Sequence, residues 1–275
     1  MAGRIVGVMA KPWRILAAAA AGLAVVVVGL LVGPHLLDAA DPDALWKIVH
    51  GLCVPHEQIA LDPAPCAYVS PGSAREPGFA LLKDRTGATQ YLLIPTERIT
   101  GIEDPKLLKP GSESYLAKAW AWRSLLFARL GHDLPGEDVA LAINSQPGRS
   151  QNQLHIHVDC IKPEVRDALK RMQASIGPEL KPLPQPLLPV RPYAAMAIPA
   201  QDLERTNLFR RLAETKPAGG MGQITLVIVG TTLASGAPGF DVLVDRVDTA
   251  MGDMASGEEL QDHDCAVKSD LPTGG

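Results

Sequence analysis

A long apolar segment lies near the start of the chain. Residues 15–32 (ILAAAAAGLAVVVVGLLV) carry no charge, and a helix of that length spans close to the roughly 30 Å hydrocarbon core of a bilayer. Arg4, Lys11 and Arg14 precede the segment, and Asp38 and Asp41 follow it. Because basic residues stay in the cytoplasm, the pattern predicts a cytoplasmic segment 1–14, one transmembrane helix over 15–33 and an exported remainder. A cleaved signal peptide is the alternative interpretation.

Beyond this segment, the apolar positions follow helix and strand periods in turn. Helical spacing recurs in three segments: 42–50, 114–130 and 163–173. Short apolar runs predict single strands over 139–143 and 154–161, and two hairpins: 78–83 with 90–94, and 224–229 with 240–244. The proline-rich residues 178–199 are predicted to form a stiff spacer or a wrapped loop. These elements predict an α+β fold: an antiparallel sheet flanked by helices, with a C-terminal half that wraps or extends it.

The second hairpin echoes the first in sequence. Residues 239–246 (GFDVLVDR) are similar to residues 78–85 (GFALLKDR). A duplicated half would produce this echo, but the common composition of hairpins also produces it, and we favour the latter. We therefore assign residues 41–176 to a catalytic domain and residues 177–270 to the C-terminal half of the same module, with a degenerate repeat as an open alternative.

Composition excludes one class of function. The net charge is -4 and aromatic residues make up 4% of the chain. Nucleic-acid binding relies on basic surfaces and on aromatic side chains that stack with bases. Neither feature is present, so we expect no nucleic-acid partner.

Four cysteines lie in the part that is predicted to be exported: Cys53, Cys66, Cys160 and Cys265. An even number in an oxidising compartment indicates two disulfides. Three pairings satisfy this count; one of them closes a short proline-rich loop between Cys53 and Cys66 and joins Cys160 to Cys265. Four buried free thiols are the alternative. The cysteines lack Cys-x-x-Cys spacing, which argues against a zinc-finger or thioredoxin-like site.

Candidate chemistry concentrates in residues 148–160 (GRSQNQLHIHVDC). Side chains alternate along a strand, so Gln153, His155, His157 and Asp159 share one face, opposite an apolar face. Two histidines on a buried strand are costly unless they are hydrogen-bonded or used in chemistry. Three interpretations follow: a metal site completed by Asp159 or by the distant His263, a structural pair, or a nucleophile for attack on phosphorus.

The polar turn before this strand favours the phosphorus chemistry. Asn144, Arg149 and Ser150, together with backbone N–H groups, form a plausible cradle for phosphate oxygens. The sequence lacks a carboxylate cluster and a Gly-x-x-x-x-Gly-Lys loop. A magnesium-nucleotide mechanism is therefore not expected.

These segments resemble a known family. Residues 148–158 (GRSQNQLHIHV) resemble the histidine-triad signature, His-φ-His-φ-His-φ, with Gln153 in the first histidine position. Four segments are similar to CDP-diacylglycerol diphosphatases of the histidine-triad superfamily: 90–96 (QYLLIPT), 142–145 (AINS), 149–163 (RSQNQLHIHVDCIKP) and 258–265 (EELQDHDC). The resemblance extends from about residue 43 to residue 265, and the predicted anchor fits it.

The resemblance implies a histidine-triad-like (HIT-like) fold and hydrolysis of CDP-diacylglycerol to CMP and phosphatidate, without a metal or other cofactor. His155, at the middle position, would attack the CMP phosphorus and form a nucleotidyl-histidine. His157 would hold a phosphate oxygen or assist the leaving group. The residues expected to contact phosphate are Asn144, Arg149, Ser150 and Gln153. Gln153 cannot titrate, but it can still hydrogen-bond and orient its neighbour, so we expect activity to survive.

The predicted location is the inner membrane, with a single span and the catalytic part on the periplasmic side, where an anchored enzyme stays close to a lipid substrate. His263 is expected to be a surface residue beside a disulfide, and Lys83 and Arg98 to be solvated surface charges. Two other functions remain as alternatives. One is an envelope protein that binds zinc or copper through His155 and His157, and the other is a hydrolase of soluble nucleotide substrates.

Overall fold

The computed structural model of the chain describes residues 41–73, 76–112, 114–189 and 191–267. The predicted cytoplasmic segment and membrane anchor lie outside these ranges. Within them, no helix is long and apolar enough to cross a bilayer.

Antiparallel pairing organises the described residues into one large sheet. Its strands are β1 (Tyr68–Ser70), β2 (Phe79–Lys83), β3 (Tyr91–Pro95), β4 (Val139–Ile143), β5 (Ile156–Ile161), β6 (Lys181–Pro182), β7 (Ala194–Pro199), β8 (Ile224–Thr232), β9 (Pro238–Arg246) and β10 (Gln261–Asp262). They lie in the order β1-β2-β3-β5-β4-β8-β9-β7-β6, and β10 pairs with the end of β5. The α+β prediction with an antiparallel sheet is confirmed.

The helices are short and pack against both faces of the sheet. They are α1 (Ala44–Ile48), α2 (Val54–Ala60), α3 (Ser114–Ala121), α4 (Ser124–Leu130), α5 (Pro163–Met172), α6 (Asp202–Arg205) and α7 (Leu208–Glu214). A π-helical turn, Val49–Cys53, joins α1 to α2. The predicted helices at 42–50 and 163–173 are thereby confirmed.

Each face of the sheet buries its own apolar side chains. The larger core combines strand residues such as Leu93, Ile156 and Ile228 with α3, α6 and α7. The opposite face carries two smaller clusters, one with the α1–α2 region and one with α5. His157 is in register with Leu92 of the first cluster and with Ala142 of the second. Side chains alternate along β5, so the histidines lie between these two clusters.

Two predicted elements differ from the structure. The single helix predicted over 114–130 is two helices. The break occurs at Arg123, whose backbone N–H and side chain both donate to the Trp120 carbonyl, which tightens the chain there. The spacer predicted over 178–199 contains β6 and β7, and β7 pairs along its whole length with β9. The sequence of β7, AAMAIP, does not predict a strand, because alanine has little strand propensity.

The strand order repeats within the sheet. The series β2-β3-β5-β4 has the same relative order as β6-β7-β9-β8, and the two series meet at the β4–β8 pair. In this arrangement β9 corresponds to β5 and not to β2. The echo between residues 239–246 and 78–85 therefore joins strands in unequal positions, and hairpin composition is a sufficient explanation for it. A degenerate repeat stays a proposal, supported by the strand order.

Candidate active site

His155 and His157 are neighbours on the sheet face that carries the two smaller clusters, and they lie between those clusters. Their ring centroids are 4.8 Å apart with an interplanar angle of 67°. The side chains are almost buried, with 7% of His155 and 4% of His157 exposed. The alternation predicted for this strand is confirmed, since Leu154, Ile156 and Val158 belong to the larger core on the other face.

The tautomer of His155 follows from one hydrogen bond. Its Nδ1 lies 2.7 Å from the backbone carbonyl oxygen of Gln153. A carbonyl oxygen can only accept, so the ring proton is on Nδ1 and Nε2 carries the lone pair. Burial lowers the pKa of His155, because a charged imidazolium loses its hydration there. At neutral pH, His155 is an uncharged imidazole with an available nitrogen lone pair.

His157 is held at one nitrogen and open at the other. Its Nδ1 lies 3.1 Å from Oε1 of Glu258 and 3.0 Å from Nε2 of Gln90. Its buried Nε2 has no hydrogen-bond partner among the described residues. Burial, and then the neighbouring His155, lowers the pKa of His157 well below its ordinary value. An unsatisfied buried nitrogen is costly, and a substrate atom beside it would remove that cost.

Glu258 connects the histidines to the polar turn. Asn144 donates from Nδ2 to Glu258 Oε2 at 2.6 Å, and its own Oδ1 accepts from the backbone N of Glu258 at 3.3 Å and from Ser256 Oγ at 3.2 Å. Gln90 donates to the other Glu258 oxygen at 3.3 Å. One carboxylate therefore holds the side chains of the residue after β4 and the residue before β3, and the latter contacts His157 of β5.

Asp159 and His263 form a second pair farther along the same strand. Asp159 accepts from His263 Nδ1 at 2.7 Å, from Thr89 Oγ1 at 2.7 Å and from the Cys160 backbone N at 2.9 Å. Hydrogen bonding to Asp159 raises the pKa of His263. Burial raises the pKa of Asp159, and this outweighs the opposing effect of its hydrogen bonds. His263, expected at the surface, is partly buried with 29% of its side chain exposed.

The four residues expected to contact phosphate have different environments. Arg149 makes a two-pronged ion pair with Glu103 at 2.6 and 2.7 Å, and 4% of its side chain is exposed. Gln153 donates to the backbone carbonyls of Pro95 and Glu97 at 3.0 and 2.9 Å. The Asn144 amide is hydrogen-bonded to Ser256 and Glu258 of the C-terminal segment, whereas Ser150 is exposed. Ser150 is thus the most accessible of the four.

The two basic residues expected at the surface are paired locally. Lys83 donates to the backbone carbonyls of Asp84 and Gly87 at 2.6 and 3.0 Å. Burial lowers the pKa of Lys83, and the charge of Arg129 adds to this effect. Arg98 pairs with Asp43. Their local partners make both residues weak candidates for direct contact with a substrate.

Two disulfides fasten the elements around the site. Cys53 in the π-helical turn is joined to Cys66 before β1. Cys160 of β5 is joined to Cys265, three residues beyond the end of β10. The second bridge ties the segment that contains Glu258 and His263 directly to the strand that contains His157.

The metal-site interpretation finds little support in the side-chain positions. Among the described residues, three or more potential metal ligands gather within 4.8 Å of one another at Asp245, Asp253 and Glu259. They do not gather around His155 and His157. The histidine pair therefore lacks a nearby set of further ligands within the described part of the chain.

Sequence reasoning did not assign Gln90, Thr89 or Glu258 to the site. Gln90 begins one of the segments that carry the family resemblance, and Glu258 begins another. The segments were therefore identified, but a helix or strand period cannot reveal contacts between residues 168 positions apart, as in Gln90 and Glu258.

Comparison with known proteins identifies the family. The family described as CDP-diacylglycerol pyrophosphatase matches residues 40–269. A CDP-diacylglycerol pyrophosphatase from Yersinia pestis is 42% identical over 252 residues, which cover 91% of this chain and 93% of the relative. The chain belongs to the CDP-diacylglycerol pyrophosphatase family.

Proposed function

We propose that this protein hydrolyses the pyrophosphate bond of CDP-diacylglycerol to CMP and phosphatidate, with His155 as the nucleophile. Family membership and the relative from Yersinia pestis support the substrate. The observation that carries the mechanism is the 2.7 Å hydrogen bond from His155 Nδ1 to the Gln153 carbonyl. It directs the proton to Nδ1 and leaves the Nε2 lone pair for attack on phosphorus.

The reaction would proceed in two displacements. His155 Nε2 attacks the phosphorus that bears the cytidine group, a P–N bond forms, and the P–O bond to phosphatidate breaks. Water then attacks the same phosphorus, the P–N bond breaks, and CMP leaves with the water oxygen. The attacking water gives up one proton to solvent as its oxygen bonds to phosphorus, and the imidazole leaves as a neutral ring on the opposite side. The covalent nucleotidyl-histidine replaces one difficult substitution with two easier ones.

His157 and Glu258 would support both displacements. The unpartnered Nε2 of His157 is suited to contact a phosphate oxygen or the leaving oxygen, because it is buried beside His155. Glu258 holds the Gln90 amide, which donates to Nδ1 of His157 and leaves the ring proton on Nε2. Polar groups that are already oriented stabilise the charge of the transition state without reorganisation.

The polar turn would hold the phosphates in two ways. The Ser150 hydroxyl and backbone N–H groups would contact phosphate oxygens directly. Arg149 would act mainly through its charge, since its guanidinium is already paired with Glu103. That charge is close enough to contribute to the lowered pKa of His155, after the larger effect of burial. Asn144 would contribute by holding Glu258, and Gln153 by its position next to the nucleophile.

We extend the proposal to a HIT-like arrangement. Gln153, His155 and His157 occupy alternate positions before and within one strand, as the histidine-triad signature requires. Gln153 stands in the first histidine position and bonds backbone carbonyls through its amide. The neutral Gln153 amide donates these hydrogen bonds without titrating, so the first position of the signature would have a structural role in this chain.

We further propose that residues 15–33 anchor the enzyme in the inner membrane, with the catalytic part in the periplasm. The two disulfides support an oxidising compartment. An anchor would keep the site near a substrate whose acyl chains remain in the bilayer. A soluble-nucleotide hydrolase is the alternative, and it predicts equal turnover of CDP-choline.

The proposed function can be tested by isotope labelling. The full chain in detergent and EDTA, supplied with CDP-diacylglycerol in H₂¹⁸O, is expected to release CMP with ¹⁸O in its phosphate. Attack at the cytidine-bearing phosphorus places the water oxygen there, and mass spectrometry of both products locates it. Label in phosphatidate would refute the site of attack, and no CMP from folded protein would refute the function.

The role of Glu258 can be tested with Glu258→Gln. The variant removes the charge that accepts from both Asn144 and Gln90, and Gln90 in turn contacts the His157 ring, so kcat is expected to fall about 10- to 100-fold through misplacement of that ring. KM should change little. The matched control Glu76→Gln removes an exposed carboxylate that pairs with Lys118, and should retain full activity. A Glu258→Gln rate within twofold of wild type would exclude this positioning role.

A further inference from the structure

A second polar cluster lies on the same sheet face, two strands beyond Asn144. Asp245 of β9 meets Asp253 and Glu259 of the C-terminal segment, and their carboxylate oxygens lie within 4.8 Å of one another. Asp245 is 3% exposed and Asp253 is 1% exposed. Proposed catalysis at His155 makes no use of these groups. Glu259 is partly exposed, with 24% of its side chain accessible. Clustered carboxylates of which two are buried require compensating positive charge.

Arg191 supplies only part of that compensation. Its Nε donates to both oxygens of Glu259 at 3.0 and 3.2 Å, and its Nη1 lies 3.3 Å from Asp253 Oδ2. One guanidinium faces three carboxylates. Asp245 Oδ2 is buried and has no hydrogen-bond donor among the described residues, and Asp253 Oδ2 has only the contact with Arg191.

Tyr193 gives an independent indication of a missing ligand. The residue is 1% exposed, and its hydroxyl has no partner in the described part of the chain. It lines a cavity of about 460 Å³ together with Arg191, Asp253 and several prolines. Tyr193 directly precedes Ala194, which pairs with Val244 of β9, so Tyr193 lies next to Asp245 on the neighbouring strand. Buried hydroxyl groups are normally hydrogen-bonded.

We propose that Asp245, Asp253 and Glu259 form a binding site for Ca²⁺, with the Tyr193 hydroxyl beside it. Ca²⁺ binds carboxylate and neutral oxygens at about 2.3–2.6 Å, so two ligands on opposite sides of one ion are about 5 Å apart. The oxygens of these three carboxylates lie within 4.8 Å of one another, so one ion can contact all three. Mg²⁺ usually keeps several of its waters when it binds to a protein, whereas Asp245 and Asp253 are only 3% and 1% exposed.

The site would stabilise the segment that carries Glu258. Residues Gly257–Leu260 lie across β4 and β8 so closely that a Cβ at Gly257 would be 2.6 Å from Thr225 Oγ1 and 3.3 Å from Ala142 Cβ. From this segment Glu258 reaches His157, whereas its neighbour Glu259 reaches Arg191. A cation at Glu259 would fasten the segment from the side opposite the histidines. The cation would not contact His155 or His157.

Calcium binding can be measured on the full chain after removal of metal with EDTA. Ca²⁺ at a hundredfold excess over its dissociation constant is expected to raise Tm by about 5–10 °C, with about one ion bound per chain by calorimetry. Asp245→Asn and Glu259→Gln should each lose most of this shift. The control Glu179→Gln, which changes an exposed carboxylate on the same half of the chain, should keep it.

Each other outcome would overturn the proposal. Absence of calcium binding by folded wild type would refute the site, and unchanged binding by Asp245→Asn would refute the ligands. A shift at least as large with Mg²⁺ would refute the choice of ion. CMP release in EDTA reports separately on the proposed hydrolysis, because the chemistry at His155 does not require the cation.

Discussion

Replacing His155 with alanine is expected to lower kcat for CMP release by about 10⁴-fold or more, which corresponds to about 5.5 kcal/mol in activation free energy. The side chain supplies the bond-forming nitrogen, so its loss removes the covalent route entirely. His157 cannot replace it, because Gln90 donates to its Nδ1, which puts the ring proton on Nε2, and because its ring is fixed in another orientation. The measurement is the rate of CMP release in detergent and EDTA.

Two controls make this result specific. His132→Ala removes an exposed histidine far from the described contacts of the site, and should leave the rate unchanged. Quenching in alkaline denaturant, which preserves the acid-labile P–N bond, should trap label from the cytidine-bearing phosphate on wild-type protein and not on His155→Ala. Thermal unfolding of both variants establishes that they are folded. A folded His155→Ala variant that retains more than a few per cent of the wild-type rate would exclude His155 as the nucleophile.

The central part of the site follows from sequence because strand geometry is local. A period of two along residues 153–160 is sufficient to put His155 and His157 on one face and Ile156 and Val158 on the other. The paired environment of the histidines is also partly local, since the Gln153 carbonyl that fixes His155 is two residues away. These features require knowledge of one strand and nothing about the remainder of the chain.

The remaining contacts arise from long-range packing. Glu258 meets Asn144 across 114 residues, and Asp159 meets His263 across 104. Residues 257–265 have little regular structure apart from a 3₁₀ turn and the two residues of β10, so no hydrophobic period indicates which of their side chains point inward. For the same reason the sequence does not predict the ion pair between Arg149 and Glu103, because Glu103 lies in a loop 46 residues away.

The bridge between Cys160 and Cys265 joins residues 257–265 covalently to β5. Its removal is the second change for which we expect a large effect, here on stability. Removing this bridge with Cys160→Ala/Cys265→Ala is expected to lower the free energy of unfolding by about 4–5 kcal/mol, because it closes a sequence separation of 105 residues. The Cys53–Cys66 bridge closes a separation of 13, so Cys53→Ala/Cys66→Ala should cost only about 3 kcal/mol. Urea unfolding of the two double variants gives the comparison.

Activity should separate these variants more strongly than stability. Cys265 lies two residues beyond His263, and β10 pairs with β5 at Cys160 and Ile161. Without the bridge, Glu258 and His263 lose a covalent link to the strand that carries His157, so CMP release should fall at temperatures where the protein remains folded. The Cys53→Ala/Cys66→Ala variant should retain near wild-type turnover under those conditions. Equal turnover by both double variants would contradict this, because it would mean that the contacts of Glu258 and Asp159 hold the C-terminal segment in place without the disulfide.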